Sequence, residues 1–217
     1  MDESNGIARS SNHIKYAGEY ITLTGCRLSA NELKDINVAT HYIKDSQSCA
    51  LLLSQLQNVS IRDNRSCFSA LEQFLNQRTD SFPSVPSKLL LNKEEIESCF
   101  SAASVEEIIS RLQNSSTEWA AETLKSLQRG CPSSLMVIFQ LIRSCKNERV
   151  QECFQKEYIV GQRMEGRADL QEGVAAVLIR KDFKPKWNPQ DISYISKEWC
   201  DNCFGLSSKL PFHSITE

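Results

Sequence analysis

Few residues of this 217-residue chain carry functional groups at spacings that chemistry could use. Cys200 and Cys203 stand at Cys-x-x-Cys spacing with His213 downstream, the beginning of a zinc site or of a redox pair. Zinc takes four ligands and no second cysteine pair is near, so on a helical pattern that also holds Trp199 and Phe204 the two thiols read as core residues, and no metal site is expected. His41, in Ala-Thr-His-Tyr, has the chemistry of a general base, but the alternating pattern around it favours a structural histidine. Gly161 and Gly166 have the spacing of a phosphate loop without its Lys-Ser/Thr, and they follow a helix rather than a strand. Lys181, Lys184 and Lys186, with Trp187, make the most basic local cluster.

The elements that would position these groups are mostly helical. Residues 1–14 are polar and unpatterned, which predicts a frayed end, and 206–217 form a tail. Tyr16 to Gly25 has the pattern of a short helix closed by Gly25, and Ser29 is placed to cap a second, Ala30 to Ile36, with Glu32 in its first turn. Asn37 follows, a residue that tolerates the left-handed conformation of a helix exit. Val38 to Ile43 is β-prone and is the single strand expected. Ser46 to Val59 and Asn64 to Arg78 are amphipathic at helical spacing, and residues 81–92, opening Ser-Phe-Pro-Ser-Val-Pro-Ser, read as a linker.

Beyond the linker the pattern is helical almost throughout. Asn92 caps Lys93 to Phe100, Ser104 opens a helix with Glu107 as capping-box partner, and Ser116 opens Glu118 to Gln128, closed by Gly130. Pro132 begins a helix to Cys145 that is apolar nearly all round, as a central helix would be, and Glu148 to Gln162 continues the series. In the run DLQEGVAAVLIRKDFKPKW, Asp169 to Trp187, the stripe Val174, Val177, Leu178 and Ile179 predicts a buried helix ending in a rigid corner at Pro185.

Composition narrows the classes of function. A net charge of −2 gives no footprint for nucleic acid, and no apolar run approaches the ~20 residues of a membrane span, so a small molecule or another protein is the expected partner. Nine cysteines, an odd number without framework spacing, read as free thiols in a reducing compartment. The first twelve residues carry Asp2, Glu3 and one Arg, and the chain ends in Ser-Ile-Thr-Glu, so neither terminus shows a targeting signal.

The Asp169 to Trp187 run resembles the C-terminal signature of the 3-hydroxyisobutyryl-CoA hydrolase branch of the enoyl-CoA hydratase/isomerase (crotonase) superfamily, D-F-x-E-G-V-R-A-x-L-I-D-K-D-x-x-P-K-W. Asp169, Glu172, Gly173, Val174, Ala176, Leu178, Ile179, Lys181, Asp182, Pro185, Lys186 and Trp187 match it. Ala175 stands where the family has Arg and Arg180 where it has Asp, so an ion pair between those two positions is not available. The earlier block GEYITLTGCRLSANELKDINVATHYI, from Gly18, is similar to the family's G-E-Y-x-x-L-T-G-x-R-L-x-x-x-E-x-x-x-x-G-L-A-T-H-Y/F. Ser104 to Ile109 and Cys131 to Leu135 are also similar, so the resemblance covers roughly residues 15 to 205.

The resemblance implies a mainly α chain that forms the C-terminal part of an α/β crotonase-like fold: residues 15–80 the tail of the core, 93–205 an extended helical region. It also implies hydrolysis of 3-hydroxyisobutyryl-CoA, a thioester of valine breakdown, in a mitochondrion or peroxisome, with coenzyme A as part of the substrate and no separate cofactor. Lys181, Lys184 and Lys186 would meet a CoA phosphate. The family's oxyanion loop and catalytic Glu precede the Gly18 block, for which seventeen residues leave no room, so a truncated, inactive form is expected. Ungapped extension brings Glu3 near the family's catalytic Asp column, without its Pro-Asp-x-Gly context, and Glu3 is the single catalytic candidate. The alternative is a non-catalytic helical fragment that binds a partner, either itself or a full-length relative.

Overall fold

The computed structural model of the chain describes residues 14–57 and 71–205. Glu3, His213, Cys67, residues 1–13 and 58–70 and the 206–217 tail lie outside the described residues. Elements in chain order are α1 (Ala17–Thr24), α2 (Ala30–Asp35), α3 (Ser46–Leu56), α4 (71–76), α5 (Lys88–Leu91), α6 (Lys93–Phe100), α7 (Val105–Gln113), α8 (Glu118–Arg129), α9 (Pro132–Cys145), α10 (Val150–Glu165), α11 (Ala168–Val174), a π-helical turn (Ala175–Ile179), a 3-10 turn (Ile192–Tyr194) and α12 (Lys197–Cys203). The chain divides into two compact units, residues 1–17 with 27–96, and residues 18–26 with 97–217.

In the first unit local side-chain bonds set the helix ends. Ser29 caps α2 by accepting from the Glu32 N–H, while the Glu32 carboxylate accepts from the Ser29 N–H at 2.7 Å, a reciprocal capping box. Asn37 has φ +59, the left-handed exit that asparagine tolerates. The expected strand over Val38 to Ile43 does not form. A single antiparallel bridge joins Tyr42 to Asp80, with the Asp80 N–H donating to the Tyr42 carbonyl at 2.8 Å, because no neighbouring segment among the described residues supplies a ladder. Asn92 also departs from expectation. Its amide NH2 donates back to the Lys88 carbonyl at 2.7 Å, closing α5, and among the described residues its amide oxygen accepts no bond from the first turn of α6. Within the 81–92 stretch, residues 88–91 are helical.

The second unit is built around α9, which packs against α7, α10, α12 and the 3-10 turn. Pro132 occupies its first turn, where its missing N–H costs nothing, and Leu135, Val137 and Phe139 are buried. Ile108 and Leu112 of α7 and Ala120 and Leu127 of α8 fill the adjoining core. Ser104 and Glu107 cap α7 as the sequence indicates, the Ala103 N–H donating to the Glu107 carboxylate at 2.8 Å. Thr117, not Ser116, caps α8, because its hydroxyl is the one three residues before the Ala120 N–H that it accepts.

Arg143 of α9 ties three pieces of this unit together. It pairs with the buried Glu19 of α1 at 3.0 Å and donates to the Phe100 and Ala102 carbonyls at 2.7 and 3.2 Å. Beside it, Phe100 is fully buried and meets the Tyr20 ring edge-on at 5.4 Å. Phe100→Ala is expected to remove about 3–5 kcal/mol of stability, the range for deleting a buried aromatic side chain, measured by urea unfolding. A loss under about 1 kcal/mol would show that this site collapses around the void.

Candidate functional site

The signature run folds back on itself, and hydrogen bonds from the returning backbone hold it there. α11 presents Asp169 and Glu172, three residues apart and therefore on one face. Past the π-helical turn, where the Arg180 N–H reaches the Ala175 carbonyl at 2.7 Å, Lys181 and Phe183 take φ values of +57 and +56 and reverse the chain. The Asp182 carboxylate accepts the Lys184 N–H at 3.0 Å within the reversal. The returning segment then donates the Lys186 N–H to Glu172 at 2.7 Å and the Asn188 N–H to Asp169 at 2.9 Å. Two carboxylates one helical turn apart thus grip two N–H groups two residues apart.

Each carboxylate is tied further. Asp169 also accepts from the fully buried Ser133 hydroxyl at 3.1 Å and from the Arg167 guanidinium at 3.4 Å. Burial works to raise its pKa, yet the bonds from Asn188, Ser133 and Arg167 outweigh it and hold the carboxyl below its ordinary value. The Arg180 guanidinium holds Glu172 below the usual carboxylate range, with the Lys186 N–H adding to the effect. Arg180 bonds Glu172 at 2.7 Å and Asp182 at 3.1 Å, so a residue that departs from the family pattern makes its own ion pairs here.

Between the two gripped N–H groups, Trp187 lies against Gly173. A methyl group added at Gly173 would stand 3.1 Å from the indole, tighter than ordinary contact. The indole N–H donates to the Arg129 carbonyl at the end of α8, at 3.3 Å. Beside Trp187 opens a groove of about 550 Å³ whose apolar lining includes Met164, Leu170, Val174, Val177 and Leu178, with Arg167 and Asp169 also on its wall. A smaller pocket of about 330 Å³ is lined by Lys186, Asn188, Glu172 and Gln171 among others.

The stripe expected to be buried is exposed. Ala176 is fully buried, but Leu178 is 66% and Ile179 74% exposed, and Leu170, Val174, Val177 and Phe183 are exposed with them. Helical periodicity locates such a stripe and leaves open what covers it. Lys181, Lys184 and Lys186 are all exposed, and Lys186 lines the smaller pocket. Cys200 and Cys203 are buried, Cys203 packing with Val137 and Val160, and burial pushes the Cys200 thiol up to about 11. His41 is half-buried, with its Nδ1 2.9 Å from the Thr40 hydroxyl. Among the described residues no three His, Cys, Asp or Glu side chains gather as a metal site, and no helix is long and apolar enough to cross a membrane.

A helical chain organised by this carboxylate-and-tryptophan turn matches the enoyl-CoA hydratase/isomerase family model over residues 7–204, and the chain belongs to that family. In fold it matches about half of a carnitinyl-CoA dehydratase from Mycobacterium thermoresistibile, with a TM-score of 0.73 at 21% identity, over 88% of this chain and 51% of that one. Within the family it is similar to the human mitochondrial 3-hydroxyisobutyryl-CoA hydrolase, 34% identical over 189 residues, which is 86% of this chain and 48% of the relative. It is also similar to a small ribosomal subunit protein of Arabidopsis thaliana, 32% identical over 202 residues, 90% of this chain and 48% of that protein. The chain spans about half the length of the curated relatives it matches.

The lowered pKa of Asp169 makes a prediction with a definite sign. A depressed folded-state value contributes stability that is fully present above the unfolded carboxyl pKa, ~3.9, and is lost as pH falls through the folded value. Asp169→Asn should therefore cost about 1–3 kcal/mol at pH 7, with the gap to the parent closing as pH drops below about 4. Urea unfolding across that range checks it, and a gap independent of pH would mean that the ionised carboxylate is not what holds the turn.

Proposed function

We propose that this chain is a 3-hydroxyisobutyryl-CoA hydrolase-like protein of valine breakdown, and that its described residues form the helical wall against which an acyl-CoA lies. The carrying observation is the apolar groove beside Trp187, in the size range of small-molecule sites, with the Lys186 pocket sharing Asp169 on its wall. An apolar slot suits the branched acyl group and the pantetheine arm, and Lys186 suits a phosphate, with Lys181 and Lys184 exposed on the same turn. The relatives named as 3-hydroxyisobutyryl-CoA hydrolases support the substrate class, and the mitochondrial names of several favour that compartment over the peroxisome.

Thioester hydrolysis needs backbone N–H groups turned toward the carbonyl oxygen and a carboxylate free to take a proton from water. Asp169 and Glu172, the carboxylates gripped at the two pockets, are held ionised by their bonds and are poor proton acceptors near neutral pH. Binding, rather than bond-breaking, is what the described residues are built to do. A second reading, a non-catalytic protein that pairs with itself or with a full-length relative, is favoured by the exposed stripe from Leu170 to Phe183 and by the similarity to a ribosomal protein.

The test is calorimetric titration of the folded chain with 3-hydroxyisobutyryl-CoA, together with an assay for released CoA thiol. Binding without thiol release is expected, and Lys186→Ala should weaken it about fivefold, ~1 kcal/mol. Absence of binding would leave the partner-binding reading. Thiol release that Glu3→Gln abolishes would show that the chain carries its own reaction centre.

A further inference from the structure

The corner between α9 and α10 brings together two cysteines that the reading above does not use. Cys145 is the last residue of α9 and Cys153 lies in the first turn of α10, each half-buried and each a free thiol. The Cys145 carbonyl closes the corner by accepting the Glu148 N–H at 3.2 Å, and it is also the acceptor of the Cys153 thiol at 3.6 Å. The second sulfur is therefore seated on the peptide unit of the first cysteine. Burial raises the Cys153 pKa, and the neighbouring Cys145 side chain raises it further. Lys156 braces the same corner, donating to the Ser144 carbonyl at 3.1 Å and to the Glu148 carboxylate at 2.8 Å.

We propose that Cys145 and Cys153 are a redox-active dithiol that takes a low-molecular-weight disulfide as oxidant and closes to an intramolecular disulfide across the α9–α10 corner. In the first step one cysteine, as thiolate, attacks the small disulfide, forming a mixed disulfide and releasing one equivalent of small thiol. In the second the other cysteine, as thiolate, attacks the protein sulfur of that mixed disulfide and expels the second equivalent. Two protein thiols are oxidised and one small disulfide is reduced to two thiols, each attacking thiol giving up its proton to solvent and each expelled small thiolate taking one up. The ring so closed runs from Cys145 to Cys153 through the short connection 146–149, and it pins the C-terminal end of α9 to the N-terminal end of α10. The other close pair behaves differently. Cys200 and Cys203 share one short helix in the core and are both buried, so a small oxidant cannot reach them without opening α12.

The experiment treats the reduced full chain with glutathione disulfide, blocks remaining thiols in denaturant, and maps the products. Trypsin cuts after Arg143, Lys146, Arg149 and Lys156, so the proposed bond appears as peptide 144–146 linked to peptide 150–156. The expected result is that linked pair from monomeric protein, with two of the nine thiols lost. Cys145→Ser and Cys153→Ser should each abolish the linked pair and instead retain one glutathione as a mixed disulfide on the remaining partner. Helical circular dichroism of both variants, matched to the parent, separates loss of the bond from loss of the fold, and Cys145→Ala serves in place of a serine variant that fails this check. Glutathione persisting on Cys145 or Cys153 in the parent, linkage of either to another cysteine, or no modification at the corner would overturn the proposal.

Discussion

The turn from Asp169 to Asn188 rests on two carboxylates that bind backbone rather than solvent. Asp169 and Glu172 are one helical turn apart, and each accepts a backbone N–H from a segment whose own donors, at Lys186 and Asn188, are two residues apart. Two acceptors one helical turn apart meeting two N–H donors two residues apart fix the register of the return. Everything between the two grips follows from it: Trp187 is forced onto Gly173, its indole reaches the end of α8, and the apolar groove forms along its edge. The reversal at Lys181 and Phe183, held at positive φ without glycine, has its own local bonds to Asp182 and to the Ala176 carbonyl, and the two grips fix where the returning segment lies.

That same constraint accounts for the exposed apolar stripe. The turn is anchored by its polar face and by buried Ala176, which leaves Leu178, Ile179 and Phe183 outward. Each fully exposed side chain of this size forgoes roughly 1.5–3 kcal/mol of burial, so several in one run form a strongly adhesive surface. The proposed acyl-CoA and partner-binding readings both use this side of the molecule, and they differ in what lies against it.

Helix ends were the most legible feature of the sequence. Ser29 with Glu32, and Ser104 with Glu107, are local bonds between residues three apart, and nothing distant can undo them. Asn92 misleads because its amide has two helices to choose from and bonds the earlier one, and the Val38 to Ile43 strand fails because a strand is completed only by a partner elsewhere in the chain. The candidate site was legible as a run of residues and illegible as a geometry. Spacing marks the apolar stripe, but burial depends on what packs there. Arg180, an apparent loss against the family pattern, turns out to join Glu172 and Asp182, and only the reversal of the chain brings those carboxylates to it.

The residues that carry the family resemblance in this run have structural work to do in this chain. Asp169 and Glu172 grip the returning segment, Gly173 makes room for the indole, Asp182 shapes the reversal, and Trp187 caps α8. A shared signature of this kind therefore argues for a shared architecture, and so for a surface of similar shape. It does not by itself argue for a shared reaction, since a carboxylate that holds two N–H or guanidinium donors has little basicity left for water. Under the proposed hydrolase reading the reacting groups lie outside this turn, whose own contribution is to hold the wall of the groove in one place.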